Sequence, residues 1–427
     1  MLGAASGLRA QDATIFSLEP KHAKRRHAEP PPPQLSASQP PAFSIAAEPL
    51  GFSVPSPFYL GMRNSMASLD FLDENRLLFT FRVPGLIPRS GGKADVDQRQ
   101  IRALVLDLPS GAVEAESIWT VHDRDRYLWM LSNGHFLLRD RDLIYDGDSA
   151  LALKPLFRFP GPLLRLEIDP SETYLVTNSL EPESEPASSG DRASPPAANT
   201  GISVDGQPSS GAKNVVVRMM RWKSGEVLMV SRARSTVHLP ISDQGFLETL
   251  PAAGGQWLLS LDFFTGESRI LGRINSACQP TMDFVSRRVV LAATCDTSGG
   301  GGFVAITTRG RILWENADRT LPVWPLLVGS SGGLRFARES LSVTHAIDAL
   351  SPLDPGDIRG QRIEVFDAAT GKVALTALAN PVLDAGGNVA ISPSGRRVAI
   401  VIDAAIQVFE LPQPPPLPAA SVSHPAR

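Results

Sequence analysis

Cysteine is nearly missing from this chain, with two in 427 residues, and tyrosine is scarce at four. So little cysteine excludes a small disulfide-dense scaffold and the Cys-rich zinc frameworks. No run of about 18 apolar residues occurs, so no transmembrane helix is expected. Neither sign of charge dominates: 41 basic against 44 acidic residues leave a formal charge of −3. That balance argues against wholesale binding to nucleic acid or to an anionic membrane, while leaving room for a local patch.

The usual catalytic signatures are also missing. No Gly-x-Ser-x-Gly stands at a strand-to-helix elbow; the spacing at Gly329–Gly333 falls in the tight turn of a strand–turn–strand unit. The glycine run Gly299–Gly302 lacks the Lys-Ser/Thr and following helix of a phosphate loop, and reads as a flexible turn. Acids gather at His122-Asp123-Arg124-Asp125, with His135, and at Asp140, Asp142, Asp146 and Asp148. Arg139 and Arg141 interleave with them, so ion pairing between neighbours accounts for them more cheaply than a metal. Asp146-Gly147-Asp148 reads as a hairpin turn. A calcium site needs six or more oxygens, which no local stretch supplies. No metal, cofactor or catalytic residue is therefore assigned. Histidines 122, 135, 238 and 345 fall in four different modules; His122 and His238 are the best candidates for the mouth of a central channel. Without a nucleophile, base and orienting group beside them, they read as polar residues at strand edges.

What is abundant is punctuation: 35 Gly and 37 Pro, which predict many turns and few long helices. Met1–Gln11 is small and apolar and looks like the end of a secretory signal peptide. Residues 1–58 read as this remnant plus a Pro-rich lead-in, and 413–427 as a disordered Pro-rich tail. Between them, 59–412 alternate short apolar runs with turn residues.

Those runs repeat. A strand, a tight polar turn and a second strand recur seven times, at 68–81, 127–138, 164–177, 237–250, 280–293, 324–337 and 388–401. After each of the first six comes a strand–turn–strand unit whose turn carries Gly111, Gly147, Gly225, Gly266, Gly310 or Gly371, a place suited to a left-handed residue. Each pair of units makes a four-stranded meander A-B-C-D. Seven of these predict an all-β protein, a seven-bladed β-propeller of four-stranded antiparallel blades. The seventh module ends after its third strand, 405–411, and would leave an open edge. An N-terminal strand can close it; Ala42–Ala47 is preferred over Ala13–Leu18 for proximity. Cys278 and Cys295 flank the Ser286–Arg287 turn symmetrically, so they can face each other and form a disulfide.

Ile363-Glu364-Val365-Phe366-Asp367-Ala368-Ala369-Thr370-Gly371-Lys372-Val373 resembles the strand–turn–strand of YVTN-type and WD40-like propeller repeats. Asp169-Pro170-Ser171 with Tyr174–Asn178, and Ser392–Arg397, resemble the neighbouring element of those repeats. The likeness covers three or four modules, and the Gly-His and Trp-Asp marks of true WD40 repeats are absent. It implies the fold and superfamily, not a function.

The modules differ in length mainly between strands B and C, at 84–100, 181–213, Gly299–Gly302 and 347–361. In a meander blade those connections share one face of the disc, and insertions collected on one face often mark a binding face. The expectation is a non-enzymatic, exported binding scaffold. It would be a monomer without nucleic acid or membrane span, presenting that face to a protein or other macromolecule. The alternative is a hydrolase or oxidoreductase with its active site at the central channel. The expected compartment is periplasmic or extracellular, with cytoplasmic as the alternative.

Overall fold

The computed structural model describes residues 37–55, 66–83, 98–122, 126–181, 215–296, 301–318, 323–344, 355–383 and 387–417. By contacts the chain divides into a unit of 1–35 and a unit of 36–427; the fold below belongs to the second.

The first strand, β1 (Phe43–Ala46), precedes the repeats. Blade 1 is β2 (Ala67–Phe71), β3 (Arg76–Arg82), β4 (Arg99–Asp107) and β5 (Val113–Val121). Blade 2 is β6 (Leu128–Met130), β7 (Phe136–Asp140), β8 (Leu143–Gly147) and β9 (Leu153–Arg158). Blade 3 is β10 (Leu163–Ile168), β11 (Tyr174–Leu180), β12 (Val215–Arg221) and β13 (Glu226–Ala233). Blade 4 has β14 (Gly245–Ala252), β15 (Gln256–Phe263) and β16 (Ser268–Asn275). Blade 5 is β17 (Thr281–Ser286), β18 (Val289–Cys295), β19 (Gly301–Thr307) and β20 (Ile312–Asp318). Blade 6 is β21 (Val323–Gly329), β22 (Arg335–Val343), β23 (Ile358–Asp367) and β24 (Val373–Ala379). Blade 7 is β25 (Val389–Ile391), β26 (Arg397–Ile402) and β27 (Ala405–Glu410). All pairings within blades are antiparallel between neighbours in sequence, giving the seven expected sheets.

The ring closes through β1, which pairs with β27 from Phe43↔Val408 to Ala46↔Ala405 and supplies the outer strand of blade 7. Ile45 then packs in the cluster shared by blades 7 and 1. Among the described residues seven clusters of buried side chains occur, one between each pair of neighbouring blades, so the core is distributed around the ring.

Blade 4 departs from the four-strand pattern. Its inner segment, 237–241, pairs with β14 only through an Ile241↔Phe246 bridge and a bond from the Leu247 amide to Pro240 O (2.9 Å). Pro240 has no N–H to offer a ladder.

The turns between strands C and D share a second device. One outer-strand residue is left unopposed in each of blades 1 to 6: Glu114, Leu156, Leu228, Leu271, Leu313 and Ala374. Such bulges add the local twist that a blade needs. Five of the six turn glycines have positive φ (Gly111, Gly225, Gly266, Gly310, Gly371). Gly147 does not: it sits inside β8, where a Cβ would fall 2.2 Å from the Phe136 ring. In blade 2 the left-handed residue is Leu151 (φ 62), and the turn is held by Asp148, whose Oδ1 accepts from the amides of Ala150 (2.9 Å) and Ala152 (3.1 Å).

Much of the expected B–C insertions lies outside the described residues, as do Asp123–Asp125, His345 and Ala13–Leu18. Among the described residues no helix is long and apolar enough to cross a membrane, and no group of three or more His, Cys, Asp or Glu is placed to hold a metal ion.

Candidate functional site

First strands touch around the ring, β2 against both β6 and β25, and β21 against β25, which makes them the wall of the central channel. Asp70 lies on β2, and Ser68 Oγ donates to its Oδ2 (2.5 Å). Arg126 stands just before β6 and is tethered by Nε to Leu128 O (2.9 Å). Asp70 is only half-buried and Arg126 is exposed. Yet loss of hydration is the leading influence on both, raising Asp70 to about 6 despite Ser68 and Arg126, and lowering Arg126 despite Asp70 and Glu339.

Glu339 is the third member. On the B strands of blades 1 to 4, one position faces the start of the following blade and anchors it by a polar bond. Thr80 bonds Tyr127 Oη (2.7 Å), and Arg139 donates to Leu164 O (3.2 Å). Asn178 brackets Val237 through its N (2.7 Å) and O (3.2 Å), and Thr249 accepts from Gln279 (2.8 Å). On β22 this position is Glu339, but the anchoring of blade 7 has passed to Gln361. Gln361 binds Leu383 N (2.9 Å), Leu383 O (3.0 Å) and Asn388 Nδ2 (2.6 Å). Glu339 keeps one bond, to its Oε2 from Gln361 Nε2 (2.9 Å), and its buried Oε1 has no hydrogen-bond partner. Burial, only partly offset by the charge of Arg126, raises its pKa to about 8. Asp70, Arg126 and Glu339 thus come from blades 1, 2 and 6 and share one electrostatic neighbourhood.

A second group lines the wall at blades 3 to 5. His238, on the inner segment of blade 4, donates from Nδ1 to Glu167 Oε1 (2.5 Å), and its Nε2 faces Asp283 Oδ1 (3.2 Å) and Met282 O (3.0 Å). Glu167 Oε2 accepts the Leu239 amide (3.0 Å), and Arg165 also binds Glu167. Burial works against the imidazolium, but bonds to Asp283 and Glu167 and their charges outweigh it and carry the His238 pKa to about 10. Burial would raise Glu167, yet His238 and Arg165 hold it below the usual carboxylate range. The group is a charged clasp tying the short segment of blade 4 to both neighbours.

His122 is not brought to His238. It ends the outer side of blade 1, where its amide (2.8 Å) and Nδ1 (2.9 Å) both meet Asp140 Oδ1. Asp142 pairs with Arg158 (2.6 Å), and Asp146 with His135 (3.2 Å). Cys278 and Cys295 form a disulfide with Cα atoms 5.7 Å apart. The sequence analysis did not single out Asp70, Arg126, Glu339, Glu167 or Asp283, because none sits in a motif. One signal was available: Glu339 puts a carboxylate into a B strand where blades 5 and 7 have Ala293 and Val401.

No family model matches the chain, and no curated protein matches it. Solved structures do. Pyrococcus horikoshii acylaminoacyl peptidase is 10% identical, over 79% of this chain and 49% of that one, with a TM-score of 0.42. The β-propeller domain of the Trilobed protease from Pyrococcus furiosus is 9% identical, over 84% and 99%, with a TM-score of 0.42. TolB from Acinetobacter baumannii is 11% identical, over 71% and 70%, with a TM-score of 0.35. The chain spans about half the length of the acylaminoacyl peptidases it matches. At these identities the likeness shows the fold alone, a β-propeller, and places the chain in no narrower repeat family. The expectation of a non-enzymatic scaffold is corrected in favour of its alternative, a site at the central channel. The channel wall carries the convergent ionisable groups that the sequence analysis had taken to be missing. They escaped it because they meet only through the ring.

Proposed function

We propose that the chain is an enzyme, or the propeller part of one, with its chemistry at the central channel, and that the reaction is a hydrolysis. The observation that carries this is the grouping of Asp70 on β2 with Arg126 just before β6, a carboxylate with a pKa near 6 within electrostatic reach of a guanidinium. At neutral pH most of Asp70 is ionised and able to take a proton from water, which is the property required of a general base. Arg126 offers fixed positive charge to an oxyanion forming next to it. Glu339, sealed from solvent and mostly protonated at neutral pH, acts through Arg126: while neutral, it leaves the guanidinium charge to the substrate. Glu339 is a positioning residue here, whereas Asp70 and Arg126 touch the reacting atoms. The disulfide favours an oxidising compartment, periplasmic or extracellular.

The test is a panel of chromogenic aryl esters, aminoacyl anilides and aryl glycosides assayed with the full chain and with Asp70→Asn. The expected outcome is turnover that rises with pH through an apparent pKa near 6. It should fall roughly 10²–10⁴-fold in Asp70→Asn. Turnover indifferent to Asp70→Asn, or none on any substrate, would remove the hydrolase reading.

A further inference from the structure

The outer strand of a propeller blade ends its sheet with an unpaired row of N–H and C=O groups, on which a further strand can add. Charge or proline inside the strand blunts that edge in four blades, through Glu116 on β5, Pro155 on β9, Arg273 on β16 and Glu315 on β20. β24 has neither, but the lead-in covers it. The Ser38 amide donates to Thr376 O (2.8 Å), and Ser38 Oγ accepts from the Thr376 amide (3.0 Å). In blade 7 the edge of β27 is taken by β1. β13 closes blade 3 with no such device over Val227-Leu228-Met229-Val230.

Seven of the eight residues of β13 are exposed, whereas β5, β16 and β24 each bury two or more. Val227 (47%), Leu228 (37%), Met229 (36%) and Val230 (59%) make a continuous apolar run, and no inter-blade cluster among the described residues takes in any of 226–232. Charge sits at the two ends of the run. Glu226 pairs with Arg221 of its own sheet and keeps a side chain 52% exposed. Arg232 is exposed and within charge reach of Glu181. Two such strands laid antiparallel about a twofold axis at Met229 match each other. Glu226 falls opposite Arg232 of the partner subunit, and Leu228 opposite Val230 of the partner subunit. Lys223 and Arg234 lie past the ends of the strand. A slip of two residues sets Leu228 against Arg232 of the partner subunit in one direction, and Glu226 against Val230 of the partner subunit in the other. A parallel copy would set Glu226 beside Glu226 of the partner subunit.

We propose that β13 pairs with β13 of a second copy, antiparallel about Met229. Two four-stranded blade 3 sheets then run on as one, and the chain is a dimer in place of the expected monomer. The pairing is independent of the channel chemistry. The experiment is size exclusion with light scattering on the full chain at rising micromolar concentration, and a mass of two chains is expected. Met229→Lys sets like charges face to face on the axis and should weaken dimerisation at least about tenfold. Met229→Cys should give an intermolecular disulfide on mild oxidation, since Cys278 and Cys295 are already bonded to each other. Ser231→Cys should not, because the two copies of that position stand roughly 13 Å apart along the strands. Each variant should melt like the full chain at a dilution where both are monomeric, which is the folding control. A monomer at every concentration, as when a segment of the same chain or another protein holds the edge, would overturn the proposal. So would a dimer indifferent to Met229→Lys, or equal cross-linking from the two cysteine variants.

Discussion

At the residue scale, Glu339 shows how one substitution in a repeat creates an unusual group. Thr80, Asn178 and Thr249 spend their polar atoms on the next blade, while Glu339 has lost that partner to Gln361. Its folded pKa, about 8, lies above the ordinary 4.5. The neutral acid therefore favours folding below pH 4.5, and that contribution is lost as pH rises through 8. Glu339→Gln should melt close to the wild type at pH 5 and distinctly higher at pH 9, at about 1.4 kcal/mol per unit of pKa difference. Identical melting differences at both pH values would mean that Glu339 is not the titrating group. His238 has the same sign with a different chemistry. Its clasp is fully present below pH 6.5 and lost as pH rises through about 10. His238→Gln should cost about 1–3 kcal/mol in denaturant unfolding at pH 6, since Glu167 and Asp283 lose their shared charged partner and Glu167 keeps only Arg165 and the Leu239 amide, and the gap should close above pH 10. Neither group was legible beforehand. His238 stood out in the sequence as a residue type, but its partners lie 71 and 45 positions away, at Glu167 and Asp283.

At the element scale, β1 is the strand on which closure depends. Ile45 packs into the cluster between blades 7 and 1, and beside it Gly111 has no room for a Cβ, which would lie 2.9 Å from Ile45. Ile45→Asp should place an unpaired charge in that cluster, free the edge of β27 and lower the melting temperature by several degrees, with self-association seen by light scattering. A monodisperse variant with normal melting would show that blade 7 stands without its fourth strand. Gly147→Ala tests the tight approach of β8 to Phe136. Overpacking there should cost about 1–3 kcal/mol, measured by urea unfolding. The strand pattern and the closing segment were legible because alternating apolar residues and turn chemistry are local. The blade 2 turn was misread, since Asp146-Gly147 has turn composition and only the space beside Phe136 shows that this glycine serves packing.

At the scale of the whole molecule, the core is seven inter-blade clusters in a closed ring, so the loss of one connection does not open it. Removing residues 184–211 should leave the melting temperature within about 2 °C of the full chain. β11 and β12 remain paired from Tyr174↔Arg221 to Leu180↔Val215, and shortening a long connection changes closure entropy little. A collapse in melting would mean that those residues contribute to the core.

The number of blades, the meander of most of them and most turn positions followed from sequence alone, because each depends on periodicity and turn residues within about ten positions of one another, and the N-terminal closure followed from the strand that the seventh module lacks. The channel site did not. Asp70, Arg126 and Glu339 are separated by 56 and 213 positions, and no local pattern relates them. Only ring closure brings blades 1, 2 and 6 to a common wall, and only there do burial and one guanidinium change how two carboxyl groups hold their protons.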